Sequence, residues 1–287
     1  MKNFRAYFLL FIAVVALCSC DLAKNNKALI SEAGKALVEE LDQKDGEAGA
    51  CDVSAGAAEA DDKLVMQTSP KGTPEQILKR TGYVASYNKT TLLPNWVAWH
   101  LTAERTEGSA KRSGVDFAED TEVPEPRATD WDYYNSGYDR GHMCPAADNK
   151  WSKKAMEESF LFTNMCPQNG NLNRGDWNEM EMACRKWAKK YGDLYIVCGP
   201  ILYKGKHKTI GKNKVVVPEA FFKVVLRTGD NPQAIGFIYK NTSGNRPKDS
   251  YVNTVDEVER ITGIDFFPSL PDNVEKNVEA TADIANW

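Results

Sequence analysis

Hydrophobic and polar positions fall into three regimes along the chain. Ala6 to Leu17 form an unbroken apolar run, whereas residues 21–70 carry only scattered apolar positions and no aromatic residue. From Tyr83 onwards short apolar runs recur: YVASYN (83–88), NWVAWHLT (95–102), DLYIVCG (193–199), KVVVP (214–218), FFKVVLR (221–227) and AIGFIYK (234–240). Their aromatic and β-branched content predicts strands. Helices are predicted over SKKAMEESF (152–160), with Ser152 as N-cap, over Asn173 to Lys190, and over TVDEVERI (254–261), where Thr254 and Glu257 make a capping box. Strands and helices do not alternate regularly, so an α+β domain with an antiparallel sheet is expected rather than a doubly wound fold. Residues 103–137 are polar and broken by Pro124, Pro126 and Gly137, and so read as a long loop. Such loops in a compact domain are usually functional.

The first regime is an address. Lys2 and Arg5 precede an apolar run too short to span a bilayer, the pattern of a signal peptide. Leu17-Cys18-Ser19-Cys20 resembles a bacterial lipobox, with Cys20 as the lipidated residue. The expected organisation is a signal peptide over 1–19, a lipid-anchored acidic tether over 20–70 and one folded domain over 71–287. The tether has room for a short amphipathic helix over 28–41. The protein is then expected to be exported and lipid-anchored to a bacterial cell membrane, on its periplasmic or cell-surface side.

Charge changes the picture once it is divided by segment. The net charge of −4 argues against a nucleic-acid partner. Residues 1–20 hold two bases and no acids, residues 21–62 hold eleven acids and four lysines, and residues 255–287 hold eight acids and two bases, which leaves 63–254 at +7. A basic middle is compatible with a polyanionic ligand. Five cysteines remain beyond the leader and Cys20: Cys51, Cys144, Cys166, Cys184 and Cys198. Export would permit disulfides, the four in the domain allow three pairings, and the absence of a Cys-x-x-Cys pair argues against a zinc ribbon.

Gly-x-Ser-x-Gly and His-Glu-x-x-His are absent, and Gly205 to Lys212 fails the phosphate-loop spacing. What remains is YDRGHMCPAADN (138–149) and FTNMCPQNGNLNRGDWNEMEMACRKW (162–187). The chain has three histidines, so bases for near-neutral chemistry are few. His100 alternates within a strand and reads as structural, and His207 lies among lysines and reads as exposed. His142, beside Asp139 and Arg140, is the candidate base. The Asn173 amide oxygen is a hard ligand suited to Mg²⁺. On a continuous helix Glu181 would lie about 80° around and about 12 Å along from Asn173. That places it to hold a metal-bound water rather than the ion. Trp177 is expected to pack beneath the site.

These two segments resemble the DNA/RNA non-specific endonuclease family, of the Serratia nuclease and endonuclease G type. The Asp-Arg-Gly-His signature stands at Asp139 to His142. The second half matches at Asn164, Pro167-Gln168, Leu172-Asn173, Trp177-Asn178 and Glu181, and the likeness runs from about Tyr83 to about Asp272. The resemblance implies a ββα-metal (His-Me finger) fold and a nuclease acting on DNA and RNA. It implies His142 as general base, Asn173 as the protein ligand of one Mg²⁺ (or another divalent cation such as Mn²⁺), and Glu181 ordering its water. Arg140 and an upstream arginine would handle phosphate, Asn164 would support the site, and products would carry 5′-phosphate. Arg112 is the best match for the upstream arginine, with Arg127 the alternative. Two other readings stay open: a phosphodiesterase of small extracellular nucleotides, and a non-catalytic surface-binding lipoprotein that uses its seven Trp and eleven Tyr.

Overall fold

The strand-forming runs assemble into one antiparallel sheet. The computed structural model describes residues 63–287 apart from Lys204, so the apolar leader, Cys20, Cys51 and the helix expected over 28–41 lie outside the described residues. The sheet strands are β1 (Gln76–Lys79), β2 (Val84–Asn88), β3 (Leu93–Leu101), β6 (Leu194–Ile201), β9 (Ala220–Arg227), β10 (Gln233–Lys240) and β11 (Val252–Asn253). They run in the order β1-β2-β3-β6-β9-β10-β11, with every neighbouring pair antiparallel. Two further strand pairs stand apart: a ribbon of β4 (Asp139–His142) with β5 (Met165–Gln168), and β7 (Thr209–Ile210) with β8 (Val215–Val216). The helices are α1 (Asp130–Tyr133), α2 (Lys153–Glu158), α3 (Gly170–Leu172), α4 (Asn178–Tyr191), α5 (Val255–Thr262) and α6 (Asp272–Glu279).

The period of two along each strand feeds two cores. Trp99 of β3, Ile196 of β6, Phe221 and Val225 of β9 and Phe237 of β10 face one core, which α4 completes with Met180, Cys184 and Trp187. Trp96, Val197, Phe222, Val224 and Leu226 face the other, closed by Val255 and Val258 of α5, Val278 of α6, and Phe266 and Phe267. Burial on both faces explains why these runs read as continuously apolar, and each large side chain so buried stabilises the fold by roughly 1.5–3 kcal/mol.

The caps behave as the sequence indicates. Ser152 Oγ accepts from the Ala155 amide, and Thr254 Oγ1 accepts from the Glu257 amide. The reciprocal half of the second box is not made, because the Glu257 carboxylate binds Arg260 instead. Residues 65–69, expected in the tether, are tied to the domain. Val65 joins the second core, Gln67 Oε1 accepts from the Phe267 amide, and Trp96 donates its indole N–H to Ser69 Oγ. Composition alone assigned them to the tether because their partners lie elsewhere in the sequence.

The β4–β5 ribbon followed by α4 makes the ββα arrangement implied by the family resemblance. Gly141 faces Cys166 across the ribbon, and a Cβ added there would lie 2.3 Å from Gln168 Oε1 and 2.6 Å from Gln168 Cβ. Gln168 is fully buried, and neither end of its amide finds a described partner. It therefore has little room to yield. Gly141→Ala is expected to destabilise the domain by about 1–3 kcal/mol, read as a lower urea midpoint. An unchanged midpoint would show that the ribbon is not tight at this point.

Candidate active site

A cavity of about 920 Å³ opens beside the ribbon. Asp139, Arg140 and His142 of β4 line it, with Arg112 from the long loop, Asn173 from the turn before α4, and Asn178, Glu181 and Arg185 from α4 itself. The two motif halves, separate in sequence, thus meet in space.

His142 is set into an aromatic box. Its ring packs edge-on to Phe160 at 4.9 Å and tilted against Phe117 at 5.7 Å between centroids, and Nε2 is buried without a hydrogen-bond partner. Burial in this apolar setting, reinforced by the Arg112 charge, pushes the imidazole down to about 3. The ring is therefore neutral at physiological pH with a nitrogen lone pair open, and the same burial weakens it as a base until negative phosphate charge enters the cavity. Its backbone carbonyl accepts the indole N–H of Trp177 at 3.2 Å. Trp177 is fully buried against Phe221 and Tyr239, so the expectation that it packs beneath the site holds.

Asn173 is oriented by a residue that sequence reasoning passed over. Asp139 Oδ2 accepts from the Asn173 amide at 3.0 Å and from Arg174 Nη1 at 2.7 Å. With the NH₂ committed to Asp139, the carbonyl oxygen is the remaining pole of the Asn173 side chain, a hard donor suited to a divalent cation. Asp139 opens the Asp-Arg-Gly-His signature, which was the available signal. The helix expected from Asn173 to Lys190 is not continuous. Gly175 leaves helical geometry (φ −101°, ψ −112°), and regular α-helix begins at Asn178. The 80° and 12 Å spacing of a continuous helix therefore does not apply, although Asn173 and Glu181 both line the cavity.

Glu181 lies over a buried charge cluster. Burial raises its carboxyl to about 7, against the opposing influence of Lys223. Lys223 is wholly buried, its Nζ lying 4.3 Å from the Trp177 ring centre and 5.1 Å from that of Trp99. Burial works against its charge, but Cys198, Cys184, Glu181 and Asp148 around it hold it above the ordinary lysine value. Asp148 accepts from Arg185 at 2.9 Å and from the Trp99 indole at 3.1 Å. Arg185 therefore serves Asp148, not the i+4 ion pair with Glu181 that sequence spacing allows.

The two arginines differ in their ties. Arg140 is held by Asp130 Oδ1 at 2.6 Å and lies over the Phe117 and Tyr133 rings. Arg112 lies over Phe160 and has no carboxylate partner among the described residues. Arg127, the alternative, is bound to Glu119, Glu125 and the Val123 carbonyl and does not line the cavity.

Asn164 does not line the cavity either. Fully buried, it accepts from the Cys144 amide and donates to the Cys144 and Ser159 carbonyls. It clamps the chain two residues beyond His142, which makes it a positioning residue rather than a catalytic one. His100 pairs with Asp193 and stacks on Tyr195, as a structural histidine should. His207 is not simply exposed, since it pairs with Glu219. Cys144, Cys166, Cys184 and Cys198 are all buried free thiols. Burial raises them, Cys184 and Cys198 to about 12, so they are inert.

Residues 61–273 match the family model described as DNA/RNA non-specific endonuclease. The chain is 39% identical over 206 residues to "Nuclease EXOG, mitochondrial" of Danio rerio, covering 66% of this chain and 60% of the relative. It is 36% identical over 222 residues to "Nuclease C1" of Cunninghamella echinulata var. echinulata, covering 72% and 88% respectively. The chain therefore spans less than two thirds of the EXOG relative's length. Among solved structures, "Crystal structure of the EndoG/EndoGI complex: Mechanism of EndoG inhibition" superposes with a TM-score of 0.65 at 31% identity, covering 69% of this chain and 87% of that one.

These relatives overturn one expectation. A protein exported and lipid-anchored through Cys20 at a bacterial membrane is not what they indicate, since they are a mitochondrial and a fungal nuclease. The physical reason is that a short basic and apolar leader is read by charge and apolarity, properties that different targeting routes share. The family match, by contrast, takes in the ribbon, the kinked turn, α4 and the whole sheet together, and on it the chain belongs to the DNA/RNA non-specific endonuclease family.

Proposed function

We propose that this chain is a divalent-metal-dependent endonuclease that hydrolyses phosphodiester bonds in DNA and RNA without sequence preference. The observation that carries this reading is the joint placement of a neutral His142, the Asn173 amide oxygen and two guanidinium groups around one cavity. His142 accepts the proton of the attacking water, and its aromatic box keeps the imidazole neutral for that task. Arg112, without a carboxylate partner among the described residues, and Arg140, steadied by Asp130, offer charge to the non-bridging phosphate oxygens. Asn173 would hold Mg²⁺, or Mn²⁺ in its place, with Glu181 ordering its water. Bound there, the ion supplies Lewis-acid stabilisation of charge developing on the phosphate. Asp139 fixes which pole of the Asn173 amide faces the cavity.

The binding-protein reading loses part of its aromatic support. Trp96, Trp99, Trp177 and Trp187 are core residues, whereas Trp131, Tyr134, Trp151 and Tyr203 are exposed; a binder would have no need of the His142 and Asn173 pair. Hydrolysis of small nucleotides by the same site remains the competing activity, and the dependence of rate on chain length separates the two.

Three outcomes are expected. His142→Ala should slow cleavage of both plasmid DNA and RNA by about 10²–10⁴-fold without changing the circular dichroism spectrum, and EDTA should stop the wild-type reaction. Cleavage indifferent to either change rejects the mechanism. Asp139→Asn should raise the Mg²⁺ concentration for half-maximal rate by about 10–100-fold; an unchanged metal requirement would remove Asp139 from this role. Because contacts are to phosphate, substrate affinity should fall linearly on a log–log plot against salt, with a similar slope for unrelated sequences. Affinity that ignores salt would point to base recognition instead.

A further inference from the structure

The acidic C-terminal segment has no part in the catalytic cavity, yet it is folded around its own charges. Asp256 and Glu259 lie on α5 one turn apart, and Glu279 ends α6. One carboxylate oxygen from each of the three lies within 4.8 Å of the others. None of the three lines the catalytic cavity. Arg260, the basic residue of α5, is taken by Glu257 on the same helix.

Glu279 is the informative member. It is 6% exposed, and its Oε1 is buried without a hydrogen-bond partner among the described residues. A buried, unpaired carboxylate oxygen is costly unless something positive meets it. Its place at a helix C-terminus, where the helix dipole disfavours negative charge, adds to the cost. The charged groups around it are Glu259, Glu275, Asp256 and Asp265. Every one of those neighbours is acidic. Glu259 is held in place by accepting from the Phe266 amide at 2.8 Å, which leaves its second oxygen for another partner.

We propose that Asp256, Glu259 and Glu279 form a Ca²⁺ site that clamps α6 to α5, separate from the catalytic cation. Three carboxylates are a hard, all-oxygen set offering at least one donor each, and the exposed Asp256 leaves room for water to complete a coordination number of 6–8. The donor set also separates Ca²⁺ from Mg²⁺. The three carboxylates come within 4.8 Å of one another, and an all-carboxylate cluster suits the flexible, many-oxygen shell of Ca²⁺, whereas Mg²⁺ keeps several waters and takes one or two carboxylates. The ion would neutralise the acidic cluster and tie the last helix to the sheet-covering α5.

The test is a Ca²⁺ titration of the full chain after removal of metals with EDTA, followed by calorimetric melting and isothermal titration calorimetry. At Ca²⁺ a hundredfold above its dissociation constant, the melting midpoint should rise by about 5 °C or more, and Mg²⁺ at equal concentration should raise it less. Glu279→Gln and, as a second variant, Asp256→Asn should abolish the calcium shift and one equivalent of binding, while plasmid cleavage in Mg²⁺ stays at the wild-type rate. Asn173→Ala should keep the shift. A wild-type midpoint indifferent to Ca²⁺, a shift retained in both acidic variants, a shift lost only in Asn173→Ala, or equal shifts with Mg²⁺ and Ca²⁺ each overturns the assignment.

Discussion

One buried ammonium joins the sheet to the chemistry. Lys223 sits in the middle of β9, fully enclosed, between the rings of Trp99 and Trp177. A lone charge in such a place would cost several kcal/mol. Here the aromatic faces and the carboxylates Asp148 and Glu181 offset that cost. Each compensating group then has a second task. Trp177 holds the His142 carbonyl, Asp148 anchors Arg185 and the Trp99 indole, and Glu181 lines the cavity. The sheet thereby positions the ribbon through side chains that must converge on Lys223 for a reason of their own.

The same economy explains the division between rigid and reactive parts. His142 is held by backbone contacts at and just beyond it, through Trp177, Asn164 and the cross-ribbon partner Met165. Its side chain is then free to face apolar rings rather than hydrogen-bonding groups. A histidine fixed by its backbone and desolvated at its ring stays neutral without an acidic partner. Asn173 follows the opposite plan. Its backbone sits in a distorted turn, and its side chain is fixed by the Asp139 carboxylate.

Much of the sheet was legible in the sequence, because β2, β3, β6, β9 and β10 bury both faces and show as dense apolar runs. The ribbon was harder to read. Asp139 to His142 has no hydrophobic alternation, and its strand character comes from pairing with residues 165–168. The strand β1 and the helix α6 are short and polar, and they too depend on neighbours distant in sequence. At the site, His142 and Asn173 stood out by residue type and motif. Asp139 did not, because its role is to orient another side chain.

By itself the sequence determined the residue types available for chemistry and the two motif halves that carry them. It also determined the sign of charge in each segment and the family to which these belong. Tertiary structure decided which of those residues share a cavity. It kinked the chain at Gly175, between the cavity-lining Asn173 and Glu181, put Arg112 rather than Arg127 on the cavity wall, and buried Asn164 in bonds to Cys144 and Ser159. It also gathered Asp256, Glu259 and Glu279, separated in sequence, into one acidic cluster. The reason is that residue type and local spacing are properties of a segment. Burial, desolvation and convergence depend on the other segments packed against it, and these set the His142 and Glu181 protonation states as well as the Lys223 environment.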